Sequence, residues 1–225
     1  MKITAVISAR WGSTRLPGKA LAKIGDKTLL DHIISRLQTS SLINEIVVAT
    51  TPSSQPIVEH CKKWSIPCFV QSHPFVVDEE DVLRRLVQCG DKFNMELVVR
   101  VWGDCPFIDV KLIEEAIGRF WKGRYSCYYP ENIAKGLGFM IYNHLDFTKM
   151  YHLMSEGDRW YWNLVDEQKG WERNGFTMMV HDYKMTQNIK GMTIDDASDL
   201  SSANEIVSLF GDNVTYEELL KWKLK

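Results

Sequence analysis

One stretch near the N-terminus limits what this chain can fold into. It begins as an apolar, β-branched run that is typical of a buried parallel strand, and it continues into a loop in which small residues alternate with basic ones. The stretch reads Ile3-Thr4-Ala5-Val6-Ile7-Ser8-Ala9-Arg10-Trp11-Gly12-Ser13-Thr14-Arg15-Leu16-Pro17-Gly18-Lys19. The first acidic residue of the chain is Asp26. The pattern predicts a strand whose carboxyl end opens into a basic loop.

This loop has the residue types that bind a strongly anionic ligand. Small residues let backbone N–H groups approach a ligand closely, and basic residues neutralise its charge. The small residues are Gly12, Ser13 and Gly18, and the basic ones are Arg10, Arg15 and Lys19. The loop has neither the Gly-Lys-Ser/Thr ending of a Walker A loop nor the dinucleotide fingerprint. We interpret it as a triphosphate-binding loop, and the alternative is a surface loop with solvated cations.

Alternating strand and helix patterns after the loop predict an α/β fold. Hydrophobic spacing indicates a helix over about 27–39, capped by Asp26 or Thr28, and a second helix ending near Trp64. Buried strands are predicted at 45–50, 67–70 and 96–102. This order implies a parallel sheet with right-handed crossovers. Towards the C-terminus, residues 191–200 predict a strand end and then a helix through Phe210.

Length and composition narrow the class of protein. A chain of 225 residues is expected to form a single domain, 1–225, and a net charge of -2 argues against a nucleic-acid or membrane-surface binder. The sequence shows no signal-peptide pattern and no apolar run of the roughly 20 residues that span a bilayer. Its five cysteines contain no C-x-x-C pair, so we expect reduced thiols, no structural metal and a cytoplasmic location.

Two acidic clusters lie where a strand ends or a helix begins. Asp104 follows the strand at 96–102, and a carboxylate at the carboxyl end of a parallel strand faces the crevice above the sheet, where it can bind Mg²⁺. Asp109 is expected to cap the next helix. Residues 78–81 are all acidic and precede an apolar helical face, a position that the helix dipole favours.

Several of these motifs resemble those of the cytidylyltransferase family, which includes CMP-KDO synthetases, acylneuraminate cytidylyltransferases and spore-coat-polysaccharide proteins. Residues 7–21 resemble its signature, residues 100–109 its second signature and residues 193–199 its Thr-Val-Asp-Thr-x-x-Asp element. Asp81 and Arg85 match its Asp-Val-Leu-x-Arg element. The spore-coat subgroup is the most similar, and the resemblance covers residues 3 to about 205.

The resemblance implies a Rossmann-like nucleotidyltransferase fold, with a mostly parallel sheet, helices on both faces and a small aromatic-rich insertion. It implies Mg²⁺-dependent transfer of CMP from CTP to a sugar acid or related surface-polysaccharide precursor, with release of pyrophosphate, by a homodimer. Asp104 and Asp195 would bind the metal, and Arg15, Lys19 and Asp104 would be catalytic. The implied nucleotide-binding residues are Ala9, Arg10, Gly12, Ser13, Arg15, Lys19, Asp81 and Arg85.

The resemblance is weaker in the region expected to bind the acceptor. In relatives, the aromatic-rich region corresponding to about 122–183 holds the acceptor site and a dimerisation arm, and we expect most of its aromatic residues to serve packing and interface. Gly138 and Met140 stand where close relatives have the acids of a Gly-Leu-Asp-Val-Glu pattern, and residues 155–158 lack the usual Glu-His pair. Two alternatives therefore stay open: another nucleotide or an alcohol or sugar phosphate acceptor, and a non-catalytic nucleotide-sugar-binding protein.

Overall fold

A mostly parallel sheet of seven strands forms the centre of the protein, in a computed structural model that describes residues 1–72, 82–154, 172, 175–185 and 187–223. The strands are β1 (Ile3–Ser8), β4 (Glu45–Thr50), β5 (Cys68–Val70), β6 (Leu97–Trp102), β7 (Cys127–Glu131), β8 (Phe139–Asn143) and β9 (Met178–Asp182), and a separate hairpin pairs β2 (Lys23–Ile24) with β3 (Lys27–Thr28). The order across the sheet is β5-β4-β1-β6-β8-β7-β9. Strands β1, β4, β5 and β6 run parallel, and β8 is antiparallel to both neighbours.

Helices cover both faces of this sheet. They are α1 (Leu29–Leu37), α2 (Gln55–Lys63), α3 (Val82–Phe93), α4 (Val110–Lys122), α5 (His144–Leu153), α6 (Ala197–Phe210) and α7 (Tyr216–Lys223), and a 3₁₀ turn spans Lys19–Leu21. Alternate side chains of β1 enter two separate cores, because successive residues of a strand point to opposite faces. Ile3 and Ile7 pack on the side of α1, α4 and α6, whereas Val6 packs on the side of α3 and α5.

The predicted elements agree with this architecture, and the mostly parallel sheet flanked by helices is confirmed. Thr28, one of the two expected caps, begins α1 through a capping box with Asp31. Asp109 caps α4, as predicted. Of the described aromatic residues after position 121, four are fully buried: Tyr128, Phe139, Tyr142 and Phe147. The aromatic positions 160, 161, 162 and 171 lie outside the described residues.

One predicted element is wrong. Residues 191–195 form turns and bends, not the end of a strand. The segment crosses the carboxyl edge of the sheet, and Ile194 donates its backbone N–H to the carbonyl oxygen of Asp104 (2.8 Å) without joining a ladder. Its apolar side chains Met192 and Ile194 are buried, which explains why its sequence resembles that of a strand.

The site-bearing loops are brought together by close backbone approaches. Gly103 donates its N–H to the carbonyl oxygen of Ser8 (2.9 Å), and a Cβ at that position would lie only 2.4 Å from the same oxygen. Only glycine fits there, so the ends of β1 and β6 meet. Trp11 donates its N–H to Ser54 Oγ (3.0 Å), which ties the basic loop to the turn after β4.

The turn between β7 and β8 depends on Gly136. Its φ is +96°, and an added Cβ would lie 2.5 Å from the carbonyl oxygen of Met192. We expect Gly136→Ala to destabilise the protein by more than about 1 kcal/mol, because both the left-handed backbone and the close contact disfavour a side chain. Urea denaturation measures this change.

Gly118, inside α4, is the matched control. A Cβ added at this position would have no atom within 4 Å beyond its own helix backbone and chain neighbours, so Gly118→Ala should stabilise the protein by roughly 0.5–1 kcal/mol. Equal effects of the two substitutions would contradict this account of the turn.

Candidate active site

A cavity of about 280 Å³ opens at the carboxyl ends of β1 and β6. Its charged lining is mostly basic: the described residues contribute Arg10, Arg15, Lys19, Arg85 and Arg100 against Asp104 and Asp195. Such an excess of positive charge favours a polyanion. The location is the one where open α/β sheets bind ligands, in the crevice beyond the strand ends.

The ammonium of Lys19 contacts both aspartates of this cavity. Its ammonium lies 3.2 Å from Asp104 Oδ2 and 3.5 Å from Asp195 Oδ1, and it donates a hydrogen bond to the carbonyl oxygen of Ile194 (2.7 Å). The Lys19 side chain is 16% exposed. One cation therefore holds together two carboxylates that are far apart along the chain.

The Asp104 carboxylate is supported by the next residue in the chain. Cys105 donates its thiol to Asp104 Oδ1 (3.4 Å). Burial and the adjacent Asp104 carboxylate raise the pKa of Cys105 well above its ordinary value. The thiol is therefore protonated at neutral pH, and it supports the aspartate without the thiolate character of a nucleophile.

Asp195 is fixed by the start of α6. Asp196 caps that helix by accepting the N–H groups of Ser198 and Asp199, and the Asp199 carboxylate in return accepts the N–H groups of Asp195 (3.0 Å) and Asp196 (3.3 Å). This reciprocal capping box sets the direction in which Asp195 points.

Three cations surround the Asp195 carboxylate. Besides Lys19, Arg15 Nη2 lies 3.0 Å from Oδ1 and Lys135 Nζ lies 3.1 Å from Oδ2. Burial alone would raise the pKa of Asp195, but the hydrogen bond from Lys135 and the charges of Lys19, Lys135 and Arg15 together lower it. The carboxylate is therefore held ionised, which suits a metal ligand or a charge partner.

The inner end of the cavity is formed by β6 and α3. Arg85 is 2% exposed, lines the cavity and donates from Nε to Gln71 Oε1 (3.1 Å). The guanidinium of Arg100 lies over the Trp102 ring, 5.0 Å from its centroid. This part of the lining therefore combines an aromatic ring with guanidinium donors, a combination that can stack on a nucleobase and donate hydrogen bonds to it.

Most of the predicted site residues line this one cavity: Ala9, Arg10, Ser13, Arg15, Lys19, Arg85, Asp104 and Asp195. Gly12 does not line it, and the Ser13 N–H is donated to the Trp11 carbonyl oxygen (2.9 Å). Asp81 lies outside the described residues.

A second cavity of about 400 Å³ adjoins the first and shares Trp102, Asp104 and Asp195 with it. Part of its wall is apolar and comes from Ile133 and Phe139. The two aspartates therefore stand between two cavities, each large enough for a small ligand.

The substituted positions of the acceptor region have different surroundings. Gly138 lines the second cavity, and a Cβ there would be in ordinary contact with the Trp102 ring at 3.4 Å. Met140 is fully buried in the core under α3 and α5. An acid at 138 would face the second cavity, whereas an acid at 140 would face that apolar core.

Sequence reasoning missed Lys135 and Trp102 as site residues. Trp102 directly precedes the Gly-Asp pair, so its place at the strand end was visible in principle. Lys135 had no such signal, since its position depends on how the turn at 132–138 packs on residues 188–192. Its backbone N–H donates to Asn188 Oδ1 (2.9 Å).

Divalent metal binding fits the two aspartates. Within the described ranges, no group of three or more His, Cys, Asp or Glu side chains is placed to hold a metal ion. Mg²⁺ does not need such a cage, because it is commonly bound by one or two carboxylates together with substrate phosphates and water. Asp104 and Asp195 supply that number of carboxylates beside the basic loop.

None of the described helices is both long and apolar enough to cross a bilayer.

Comparisons with known proteins point in one direction. The family model described as cytidylyltransferase matches residues 4–161. The 3-deoxy-manno-octulosonate cytidylyltransferase of Geobacter sulfurreducens is 37% identical over 117 residues, which cover 52% of this chain and 44% of that protein. The spore coat polysaccharide biosynthesis protein SpsF of Bacillus subtilis is 36% identical over 121 residues, covering 51% and 48%. The chain thus spans about half the length of these curated relatives.

A solved structure gives a fuller match. A cytidylyltransferase from Leptospira borgpetersenii superposes with a TM-score of 0.83 at 25% sequence identity, covering 99% of this chain and 93% of the other. The similarity therefore extends over the whole sheet and its helices, including the parts of the chain beyond the family-model match.

The charges around Asp195 predict a pH-dependent stability. Because its pKa is lowered in the folded protein, its contribution is complete above the ordinary value of about 3.9 and is lost as the pH falls through the lower folded value. The stability of the wild type relative to Asp195→Asn should therefore decrease as the pH falls from about 6 to about 3. Urea unfolding at a series of pH values measures this difference, and a constant difference would contradict it.

Proposed function

Because the chain belongs to the cytidylyltransferase family, we propose that it transfers CMP from CTP to a sugar acid or a related surface-polysaccharide precursor and releases pyrophosphate. One observation carries the proposal. Lys19 contacts both Asp104 and Asp195, and these two aspartates line both cavities. A nucleotidyl transfer needs such a boundary, since the nucleotide and the acceptor must meet at one phosphorus atom.

The first cavity suits CTP in one orientation. The triphosphate would lie along the basic loop beside Arg15 and Lys19, and the base would lie at the inner end near Trp102 and Arg85. Arg10 lines the same cavity and adds positive charge. Charge-assisted hydrogen bonds from guanidinium and ammonium groups are well suited to phosphate oxygens.

Asp104 and Asp195 would hold Mg²⁺ when the nucleotide is bound. The metal would neutralise phosphate charge and favour ionisation of the attacking hydroxyl. Lys19 contacts both aspartates in the free protein, so its ammonium is already next to the place where negative charge accumulates on the leaving pyrophosphate. The protein's own contribution is then mainly positioning and preorganised positive charge.

The acceptor would occupy the second cavity. Its hydroxyl attacks the α-phosphorus in line with the departing pyrophosphate, and the reaction requires no covalent enzyme intermediate. The protonated state of Cys105 is consistent with this route, because the thiol nearest the aspartates is a poor nucleophile.

A homodimer and a cytoplasmic location remain predictions, and size-exclusion chromatography with light scattering tests the first of them.

The nucleotide is tested by thermal stability with CTP, UTP, GTP and ATP, each with and without Mg²⁺. A ligand at a hundredfold excess over its dissociation constant stabilises the native state by about 2.7 kcal/mol. For a chain of this length that corresponds to a rise in melting temperature of roughly 5–10 °C. We expect this rise only when CTP and Mg²⁺ are added together. A larger rise with another nucleotide would favour a different nucleotidyltransferase, and no rise with any would favour a non-catalytic protein.

The metal assignment is tested by Asp104→Ala. We expect turnover to fall by about a thousandfold or more, because a lost metal contact removes several kcal/mol of transition-state stabilisation. The far-ultraviolet circular dichroism spectrum should be unchanged. Full activity in this variant would refute the assignment.

Asp109→Asn is the matched control for that variant. Asp109 follows the same strand, but its carboxylate accepts the N–H groups of Lys111 (2.9 Å) and Leu112 (3.4 Å) as a helix cap. An asparagine keeps the accepting oxygen, so activity should stay within about twofold of the wild type, since asparagine caps helices about as well as aspartate.

A further inference from the structure

Lys135 connects the two cavities, and the family resemblance did not identify it. Its ammonium lies 3.1 Å from Asp195 Oδ2, while its side chain is 59% exposed. Exposed ion pairs contribute little to stability, so this contact can be exchanged at small energetic cost. Lys19, at 16% exposure, is by contrast held by Asp104 and the carbonyl oxygen of Ile194 as well.

The two carboxylate oxygens of Asp195 have different cationic partners. Asp195 Oδ1 is occupied by Arg15 (3.0 Å) and Lys19 (3.5 Å), whereas Oδ2 is occupied by Lys135. A metal ion bound at Oδ2 would compete with Lys135 for that oxygen. In the described part of the chain, Asp195 is the sole partner of the Lys135 ammonium.

The backbone at Lys135 is anchored although its side chain is exposed. Its N–H donates to Asn188 Oδ1 (2.9 Å), and the next residue, Gly136, packs against the carbonyl group of Met192. The ammonium can therefore turn about a fixed point at the mouth of the second cavity. It would remain close to the reaction centre after leaving Asp195.

The second cavity offers a displaced Lys135 a new partner only if the acceptor provides one. Among the described residues that line this cavity, Lys135 is the only basic one, and the acids are the two proposed metal ligands, Asp104 and Asp195. At position 138, glycine leaves the wall without a charge. With a metal bound to the two aspartates, an anionic acceptor would thus meet a cation and no uncompensated carboxylate.

We propose that Lys135 selects an anionic acceptor: it pairs with Asp195 as in this structure, and with a carboxylate or phosphate of the acceptor once a metal occupies Asp195. The proposal rests on the proposed function, because it assumes that the second cavity receives the acceptor. It places the anionic group of the acceptor near the attacking hydroxyl, since Lys135 already reaches the aspartate beside which the reaction occurs.

The first test needs no acceptor. The affinity for Mn²⁺, a spectroscopically visible substitute for Mg²⁺, is measured by electron paramagnetic resonance with CTP present. Lys135→Met removes the cation that competes for Asp195, so Mn²⁺ should bind at least threefold more tightly than to the wild type. Lys149→Met is the control, because Lys149 is a similarly exposed lysine that pairs with Asp146 outside both cavities, and the Mn²⁺ affinity of this variant should equal that of the wild type. Equal affinities in all three proteins would overturn the proposal.

The second test compares three acceptors in steady-state kinetics with saturating CTP. They are the carboxylate 3-deoxy-manno-octulosonate, a hexose phosphate and a neutral hexose. The wild type should use an anionic acceptor, and whether that is the carboxylate or the phosphate identifies the group that Lys135 binds. Lys135→Met should raise the KM of that acceptor at least tenfold with little change in kcat or in the KM of CTP, and Lys135→Arg should recover most of the loss.

The outcomes separate this proposal from the one on which it rests. A wild type that uses an anionic acceptor while Lys135→Met keeps the wild-type KM overturns the role of Lys135 alone. Efficient use of the neutral hexose by the wild type would also overturn the role of Lys135 alone. A wild type that releases no pyrophosphate from CTP with any of these acceptors overturns the proposed function, and the role of Lys135 with it.

Discussion

The site depends on the attraction between one ammonium and two carboxylates. Lys19 lies 85 residues before Asp104 and 176 residues before Asp195, yet its ammonium is within 3.5 Å of both. Two carboxylates that approach each other repel, and each loses hydration on partial burial. The shared cation offsets both costs in the free protein. A metal ion and the phosphates of a nucleotide would take over that role when they bind, so the arrangement is stable in both states.

The fold is built to bring these three charges together. The glycine at position 103 lets the ends of β1 and β6 touch, which places Asp104 beside the basic loop. The backbone of Ile194 bonds to Asp104, and the capping box of α6 then directs Asp195 towards the same point. Each device is local and involves two or three residues. Together they hold a C-terminal residue against an N-terminal loop without a long-range strand pairing between them.

The sequence predicted the elements better than the contacts. Strands such as β4 and β6 were visible because their apolar residues are continuous, and the capping residues Thr28 and Asp109 were visible because caps depend on local sequence. The strand end expected within residues 191–200 was wrong because burial, not hydrogen bonding, produces the apolar pattern there. Lys135 could not be identified because its contact with Asp195 spans 60 residues and depends on the packing of two turns.

The charge distribution of the two cavities gives them different tasks. Among the described lining residues, the first cavity has five basic side chains and shares its two aspartates with the second. The second cavity adds only one further charged side chain, that of Lys135. A triphosphate therefore has a strong electrostatic preference for the first cavity, and a ligand with a single anionic group meets less competition in the second. Because Asp195 contacts cations from both sides, a change in charge on one side alters the partners available on the other. Binding of nucleotide with its metal would thus release Lys135, and the acceptor subsite would acquire its free cation only after the nucleotide is in place.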